Sequence, residues 1–370
     1  MEALPFLTIG IPTWCRADYL KNNLDSLTRQ IASLPDQTVE ILVSDNASDD
    51  ATPTLCTDLA RQFPFLRYHR NQSNIGANAN FEQVITLAKG QYVWLLGDDD
   101  LLAENCIEKV IQDIRQYQPD IVTGPAIDST TGQKATHRHI TETTLTGSSV
   151  FHTEEMIALA GKISGLIFKK QSIEPLLPLA RNIIQATRTP WPHLVWVILC
   201  LDSPQKTILL LPYGTNVLVS ENWHNLTFTG MDLLQIHFID YVAMLKALKN
   251  HIQPVQYAAL ADRSITSRKA SLLKCVFYAT WLDGYRKMLK KAILFFPDVP
   301  GIQNRLYYAG LCLTPLLCPP AVRRGLFRLL SPVLYRLSPK MKVTVERIQA
   351  ILKKSAMTHQ GKRGFDSNGL

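Results

Sequence analysis

Between residues 7 and 123 short apolar runs alternate with stretches of helical periodicity, and no other feature limits the fold of this chain so strongly. The runs at 7–11, 39–44, 66–70, 92–96 and 121–123 are rich in β-branched and aromatic residues and have the length of single strands. Between them, residues 17–30, 52–62, 78–88 and 104–117 carry apolar side chains three and four apart, the spacing of one helix face. Connections this short between alternating elements predict an α/β fold whose parallel sheet is covered by helices on both faces. Ligands of such sheets bind beyond the carboxyl ends of the strands.

Polar residues gather where those strands end. Pro12-Thr13-Trp14-Cys15-Arg16 follows the first, Asp45-Asn46-Ala47-Ser48-Asp49-Asp50 the second, Asn71 to Asn80 the third, and Gly97-Asp98-Asp99-Asp100 the fourth. Three adjacent carboxylates at the mouth of a buried strand repel one another and are costly to desolvate, so they call for a cation. A divalent metal suits that role; the plainer alternative is a solvated turn in which Asp100 or a neighbour caps the helix that begins near Ala103. A crevice for a polar, charged ligand accounts for four polar clusters on one rim.

Residues 126–150, rich in Thr, Ser and Gly and containing His137 and His139, read as a connection or an excursion of strands over the crevice. Strands are expected at 163–170, 206–213 and 217–220, and helices at 173–180 and 191–201. A boundary near residue 230 divides the chain into a domain over 1–230, with a first half at 1–125 and a second at 126–230, and a helical region over 231–370. Helices are expected there at 231–250 and 271–296. The uncharged stretch 306–322 reaches only the short limit of a spanning helix and contains Pro315, Pro319 and Pro320, which argues against a continuous span. Arg323-Arg324-Gly325-Leu326-Phe327-Arg328-Leu329-Leu330 and Val333-Leu334-Tyr335-Arg336-Leu337 have the pattern of amphipathic helices lying in a membrane interface, or of a basic helical domain.

Charge is divided in the same way. The formal net charge is +8, but residues 241–370 hold 22 Lys and Arg against 5 Asp and Glu, and the rest of the chain 17 against 26. An acidic first part can hold a metal, whereas a basic, apolar second part suits an anionic surface. The seven cysteines form no CxxC pair and lack histidine partners at zinc spacing, so they read as core residues of a reducing compartment. Residues 1–6 have no basic, apolar leader pattern. The expected location is cytoplasmic, peripheral on the cytoplasmic face of an inner membrane.

Together the four strand-end clusters resemble the family 2 glycosyltransferases of the GT-A fold, a nucleotide-diphospho-sugar transferase fold with a Rossmann-like, mostly parallel sheet. Within that family they are most similar to the abequosyltransferase-like and rhamnosyltransferase-like enzymes of bacterial surface polysaccharide assembly. The resemblance covers roughly residues 5–125 well and 126–225 loosely. It implies transfer of a sugar from a nucleotide-diphosphate donor to an acceptor hydroxyl with inversion; taken with the basic second part, the expected acceptor is a lipid-linked saccharide of surface polysaccharide synthesis.

Residue by residue, the resemblance places Pro12 and Thr13 in the nucleotide pocket and Asp45 on the base or ribose. It gives Asp98 and Asp100 the metal, Mg²⁺ or Mn²⁺, with Asp98 and Asp99 also near the donor's sugars; hard carboxylates suit such ions. Arg16 pairs with phosphate or a nearby carboxylate, or lies on the surface where its helix starts. Asn74, Gly76 and Asn80 contact the donor, or Asn74 and Asn78 cap the third helix; Asp49 is the expected cap before Thr52. The family's usual acidic pair for the base is missing between Ile163 and Leu201. His193, in Thr189-Pro190-Trp191-Pro192-His193, stands nearest as a general base, its alternative being a packed histidine beside Trp191 and Trp196. Glu154, Glu155 and Asp202 are weaker substitutes, and Trp191 or Trp196 stacks on a sugar or belongs to the core.

Two other functions compete. A nucleotidyltransferase that makes the nucleotide sugar needs a Gly-rich basic loop after the first strand, and Thr13-Trp14-Cys15-Arg16 has no glycine. A non-catalytic membrane- or nucleic-acid-binding protein would use the basic part, but no recognition motif for nucleic acid is present, and no nucleic acid is expected as a partner.

Overall fold

The structure is a computed structural model that describes residues 4–35, 38–128, 143–146, 149, 151, 163–218, 239–262, 289–290, 292–294, 299 and 302–317. Its first part repeats the expected alternation: β1 (Leu7–Thr13), α1 (Ala17–Ile31), β2 (Val39–Asp45), α2 (Thr52–Gln62), β3 (Leu66–Arg70), α3 (Ala77–Leu87) and β4 (Tyr92–Leu95). There follow β5 (Asp100–Leu102), α4 (Cys106–Tyr117), β6 (Ile121–Thr123), β7 (Ala126–Asp128), β8 (Thr143–Thr146) and β9 (Leu166–Lys169). Then come α5 (Leu177–Thr187), α6 (Pro192–Leu201), β10 (Thr207–Leu210), β11 (Asn216–Leu218), α7 (Tyr241–Leu248) and α8 (Ile302–Leu317).

Eight strands form one sheet in the order β3-β2-β1-β4-β9-β6-β10-β8, and β5-β11-β7 form a small second sheet. The sheet is mostly parallel, but β9 runs antiparallel to both β4 and β6, and β8 antiparallel to β10. A mostly parallel sheet is the expected one; which strands run antiparallel was not foreseen, since an apolar run marks a strand without giving its direction. The segment 163–170 also opens with a 3₁₀ turn (Ile163–Gly165), and the helix expected at 173–180 lies within a longer helical stretch: a short helix (Lys170–Ile173), a 3₁₀ turn (Glu174–Leu176) and α5.

Packing follows the periodicities. Leu20, Leu24, Leu27 and Ile31 of α1 and Val110, Ile111 and Ile114 of α4 join Leu7, Ile9 and Ile11 of β1 in one buried cluster. On the other face Gly10 lets α3 approach the sheet, since a Cβ there would overlap Val84 Cγ1. All ten residues of α6 are buried, so this helix runs through the core.

β1 leaves the sheet in a way that matters for function. It pairs with β2 along its whole length, from Leu7↔Val39 to Thr13↔Asp45, but with β4 only as far as Gly10↔Leu95. Beyond Gly10 the two strands part. Because the chain moves from β1 outward to β3 and then returns to the far side of β1 as β4, this gap is the topological switch point where doubly wound sheets bind ligands.

The chain divides into two compact units, Met1–Thr227 with Met244–Ser267, and Phe228–Ala243 with Arg268–Leu370. Among the described residues no helix is long and apolar enough to cross a membrane. His137, His139, Glu154, Glu155 and the amphipathic segments at 323–330 and 333–337 lie outside the described residues, as do most of 126–150 and 271–296.

Candidate active site

At the gap between β1 and β4 the first and fourth strand ends meet. The Thr13 hydroxyl donates to Asp98 Oδ2 at 2.7 Å, and Arg16 Nη1 lies 2.9 Å from Asp98 Oδ1. The second guanidinium nitrogen of Arg16 reaches Asp99 Oδ2 at 2.6 Å. One arginine thus spans two neighbouring carboxylates, the cation that the acidic run calls for. Asp98 is 5 % exposed, and burial pushes its carboxyl up to about 6 against the pull of Arg16 and Thr13. Burial opposes the charge on Arg16, but Asp98 and Asp99 outweigh it and hold the guanidinium above its ordinary value.

The backbone under the triplet is clamped. Asn23 Nδ2 donates to the carbonyls of Gly97 and Asp100 at 3.1 and 2.5 Å, and the Gly97 N–H donates to Ser164 Oγ at 2.9 Å. Asp100 opens β5 through its pairing with Leu218 and so does not cap α4, whose N-cap is Asn105 in a left-handed conformation. Neither Asn23 nor Ser164 was foreseen. A signal for Asn23 existed, a polar residue on the Leu20, Leu24, Leu27 stripe of α1; for Ser164 there was none.

Asp99 Oδ1 and Asp100 Oδ2 lie 3.2 and 3.6 Å from the point that a Cβ on Gly97 would occupy. A Cβ there would also meet Ser164 Oγ at 3.2 Å, so glycine lets the acidic turn pack closely, and Asp99 and Asp100 supply the hard carboxylate oxygens that suit a divalent cation. Among the described residues no three His, Cys, Asp or Glu side chains form a ready metal cage. Such an ion would complete its shell with water and diphosphate. Both Asp98 oxygens are engaged, by Thr13 and Arg16, so a metal on Asp98 would share the carboxylate with a guanidinium of like charge.

The second and third strand ends form a separate amide network. Asp45 is fully buried; it accepts from the Ser48 N–H at 2.8 Å and the Tyr68 hydroxyl at 2.7 Å and lies 3.4 Å from Arg70 Nε. Asn46 Oδ1 accepts from Asn71 Nδ2 at 3.1 Å and from the Ile75 N–H at 2.9 Å, while Asn46 Nδ2 donates to Asn74 Oδ1 at 2.8 Å. Asn80, 2 % exposed, accepts from Ser44 Oγ at 2.7 Å and donates to the Ser44 carbonyl at 2.9 Å. These bonds fix the turn at Gly76, whose φ of +86° suits glycine and whose missing Cβ leaves open space. Asn74 bonds within this turn, and Asn78 donates to the Thr189 carbonyl at 2.9 Å instead of capping α3. At α2 the Thr52 N–H donates to Asp50, while Asp49 accepts from Cys15 Sγ, correcting the expected cap.

Gly76 and Asn78 also line a cleft of about 750 Å³ between α3 and α5, with Gln83, Arg181 and Arg188. The acidic triplet is not among its lining residues. His193 stands on the first turn of α6 and is 5 % exposed. Trp196 is a core residue, edge-on to Phe168 with centroids 6.3 Å apart.

Comparison with known proteins agrees with this geometry. The profile of Glycosyl transferase family 2 matches residues 8–173. Abequosyltransferase RfbV of Salmonella typhimurium is 35% identical over 116 residues, 31% of this chain and 34% of that protein. A GalNAc(5)-diNAcBac-PP-undecaprenol beta-1,3-glucosyltransferase of Campylobacter jejuni is 29% identical over 110 residues, 30% of this chain and 34% of that one. The matches thus span about a third of the length of these relatives. In fold, S. aureus TarS 1-349 in complex with UDP-GlcNAc aligns with a TM-score of 0.60 at 14% identity, over 87% of this chain and 92% of that one. The fold is the GT-A fold, and residues 8–173, which bring β1 and the acidic triplet to one gap and make up somewhat less than half of the chain, carry the likeness to glycosyl transferase family 2.

Proposed function

We propose that the protein transfers a sugar from a nucleotide-diphosphate donor to an acceptor hydroxyl, with inversion at the anomeric carbon. The observation that carries this reading is the junction of Thr13, Arg16, Asp98 and Asp99 at the switch point. Thr13 and Asp98 face the donor's nucleotide and ribose, and Asp45, through the turn it braces, shapes the far wall of that pocket. Asp99 and Asp100 hold Mg²⁺ or Mn²⁺. When bound, that ion neutralises the charge that builds on the departing diphosphate. His193 takes the proton of the acceptor hydroxyl; histidine is the side chain that most often serves as a general base.

The acceptor in this reading is a lipid-linked saccharide presented at an anionic membrane surface. Support comes from the name of the Campylobacter relative and from the basic composition beyond residue 241. The exposed face of α8 adds to it: Ile302, Leu306 and Leu313 are 68%, 64% and 43% exposed and lie along one stripe. Apolar residues with basic neighbours in sequence are the composition of a segment that lies on anionic lipid. Vesicles of phosphatidylglycerol and phosphatidylethanolamine should sediment the protein at low salt and release it at high salt. Equal recovery in the supernatant at both salt concentrations would remove this part of the reading.

Incubation with a panel of nucleotide sugars and Mn²⁺ tests the reaction itself. The expected product is a nucleoside diphosphate, by hydrolysis or transfer. Pyrophosphate formation from sugar phosphate and nucleoside triphosphate would identify a nucleotidyltransferase instead.

A further inference from the structure

Arg16 occupies the place in the acidic triplet that charge balance reserves for a cation. Its two terminal nitrogens are divided between a carboxylate that is 6% exposed and one that is 28% exposed, at 2.9 and 2.6 Å. The arginine itself remains open to solvent on one side. Its side chain is 39% exposed, it sits at the N-cap of α1 with no side-chain capping bond, and behind it the Tyr19 ring lies 4.8 Å from the guanidinium carbon. The aromatic face supports the guanidinium in the position from which it bonds both carboxylates. Asp98 would keep its bond from Thr13 if Arg16 left.

We infer that Arg16 is an exchangeable counter-cation, which neutralises Asp98 and Asp99 while the crevice is empty and yields to a divalent ion only when that ion arrives with a diphosphate. The inference rests on the metal-dependent reading above. Its physical basis is that a guanidinium and a divalent ion sharing one carboxylate repel each other, so bare metal must displace Arg16 against two ion pairs. A metal–diphosphate brings its own negative charge, and the displaced guanidinium pairs with the phosphate oxygens through charge-assisted hydrogen bonds. Arg16 then couples metal to donor: metal alone binds weakly, and each strengthens the other by the same factor.

The test is Mn²⁺ binding by the full chain, read from the loss of the free-ion electron paramagnetic resonance signal, alone and with UDP, GDP, CDP or dTDP. Wild type should bind Mn²⁺ weakly alone and at least about ten-fold more tightly with the matching nucleotide, a gain of about 1.4 kcal/mol. Arg16→Gln should bind bare Mn²⁺ about ten-fold more tightly than wild type and lose most of the gain from nucleotide. Arg16→Lys, which keeps the charge, should stay close to wild type, a pattern that a merely structural arginine would not produce. Bare Mn²⁺ binding that is unchanged or weaker in Arg16→Gln overturns the exchange while leaving the metal reading intact. Failure of wild type to bind Mn²⁺ with any of the four nucleotides removes the metal reading and the exchange with it.

Discussion

At the scale of single residues, Asp98 concentrates the account. Its carboxyl is pushed up to about 6 by burial, so its charge opposes folding near neutral pH, and its geometry is explained by what it meets in Thr13 and Arg16. Asp98→Asn should therefore lower stability by no more than about 1 kcal/mol while lowering sugar transfer by about 10²-fold or more, as loss of an oriented charge at a reacting centre does. Thermal melting beside product assays checks it; a large loss of stability would make Asp98 a structural residue. Asn46 predicts the reverse balance. Its Oδ1 serves both Asn71 and the Ile75 N–H, so Asn46→Ala strands buried donors and should cost about 1–3 kcal/mol, measured by denaturant unfolding. The sequence showed Thr13, Arg16 and the aspartates because strand ends were recognisable. It did not show that Arg16 rather than a metal is the partner of Asp98, because a contact between residues 82 apart depends on which strands become neighbours.

At the scale of elements, the first four strands and the first four helices lie within two residues of their expected bounds at both ends, since the helices bury one periodic face and the central strands are short, continuous apolar runs. The direction of β9 and the short strands β5 and β7 were not legible, the former because apolar content has no polarity and the latter because they are short and mix polar with apolar residues; β11 overlaps the strand expected at 217–220. Tight packing of α3 on β1 gives one test: Gly10→Ala would force Val84 aside and should cost about 1–3 kcal/mol in thermal stability. Asp120, just before β6, gives another. Burial raises its carboxyl, but Lys206 at 2.9 Å, Ser172 and the Thr207 N–H outweigh this and hold it below 3.8. A depressed carboxyl stabilises the fold above the ordinary pKa, and that contribution is lost as pH falls below it. Melting curves should thus show wild type losing stability below pH of about 4 more steeply than Asp120→Asn, which should already be less stable at pH 7. Parallel curves for the two proteins would contradict this role.

At the scale of the whole molecule, two chemically different parts share one chain: an acidic first part with a crevice at the switch point, and a basic second part with apolar residues exposed on α8. Composition alone revealed that division. The central claim remains that the aspartates closing β4 take up a donor's diphosphate through a divalent ion. Calorimetric titration with UDP, GDP, CDP and dTDP, with and without Mn²⁺, in wild type and Asp100→Asn, tests it most directly. The account predicts that one nucleotide binds strongly only with Mn²⁺ and that Asp100→Asn loses this binding while keeping its melting temperature. Equal affinity without the metal, or undiminished binding in Asp100→Asn, would contradict it.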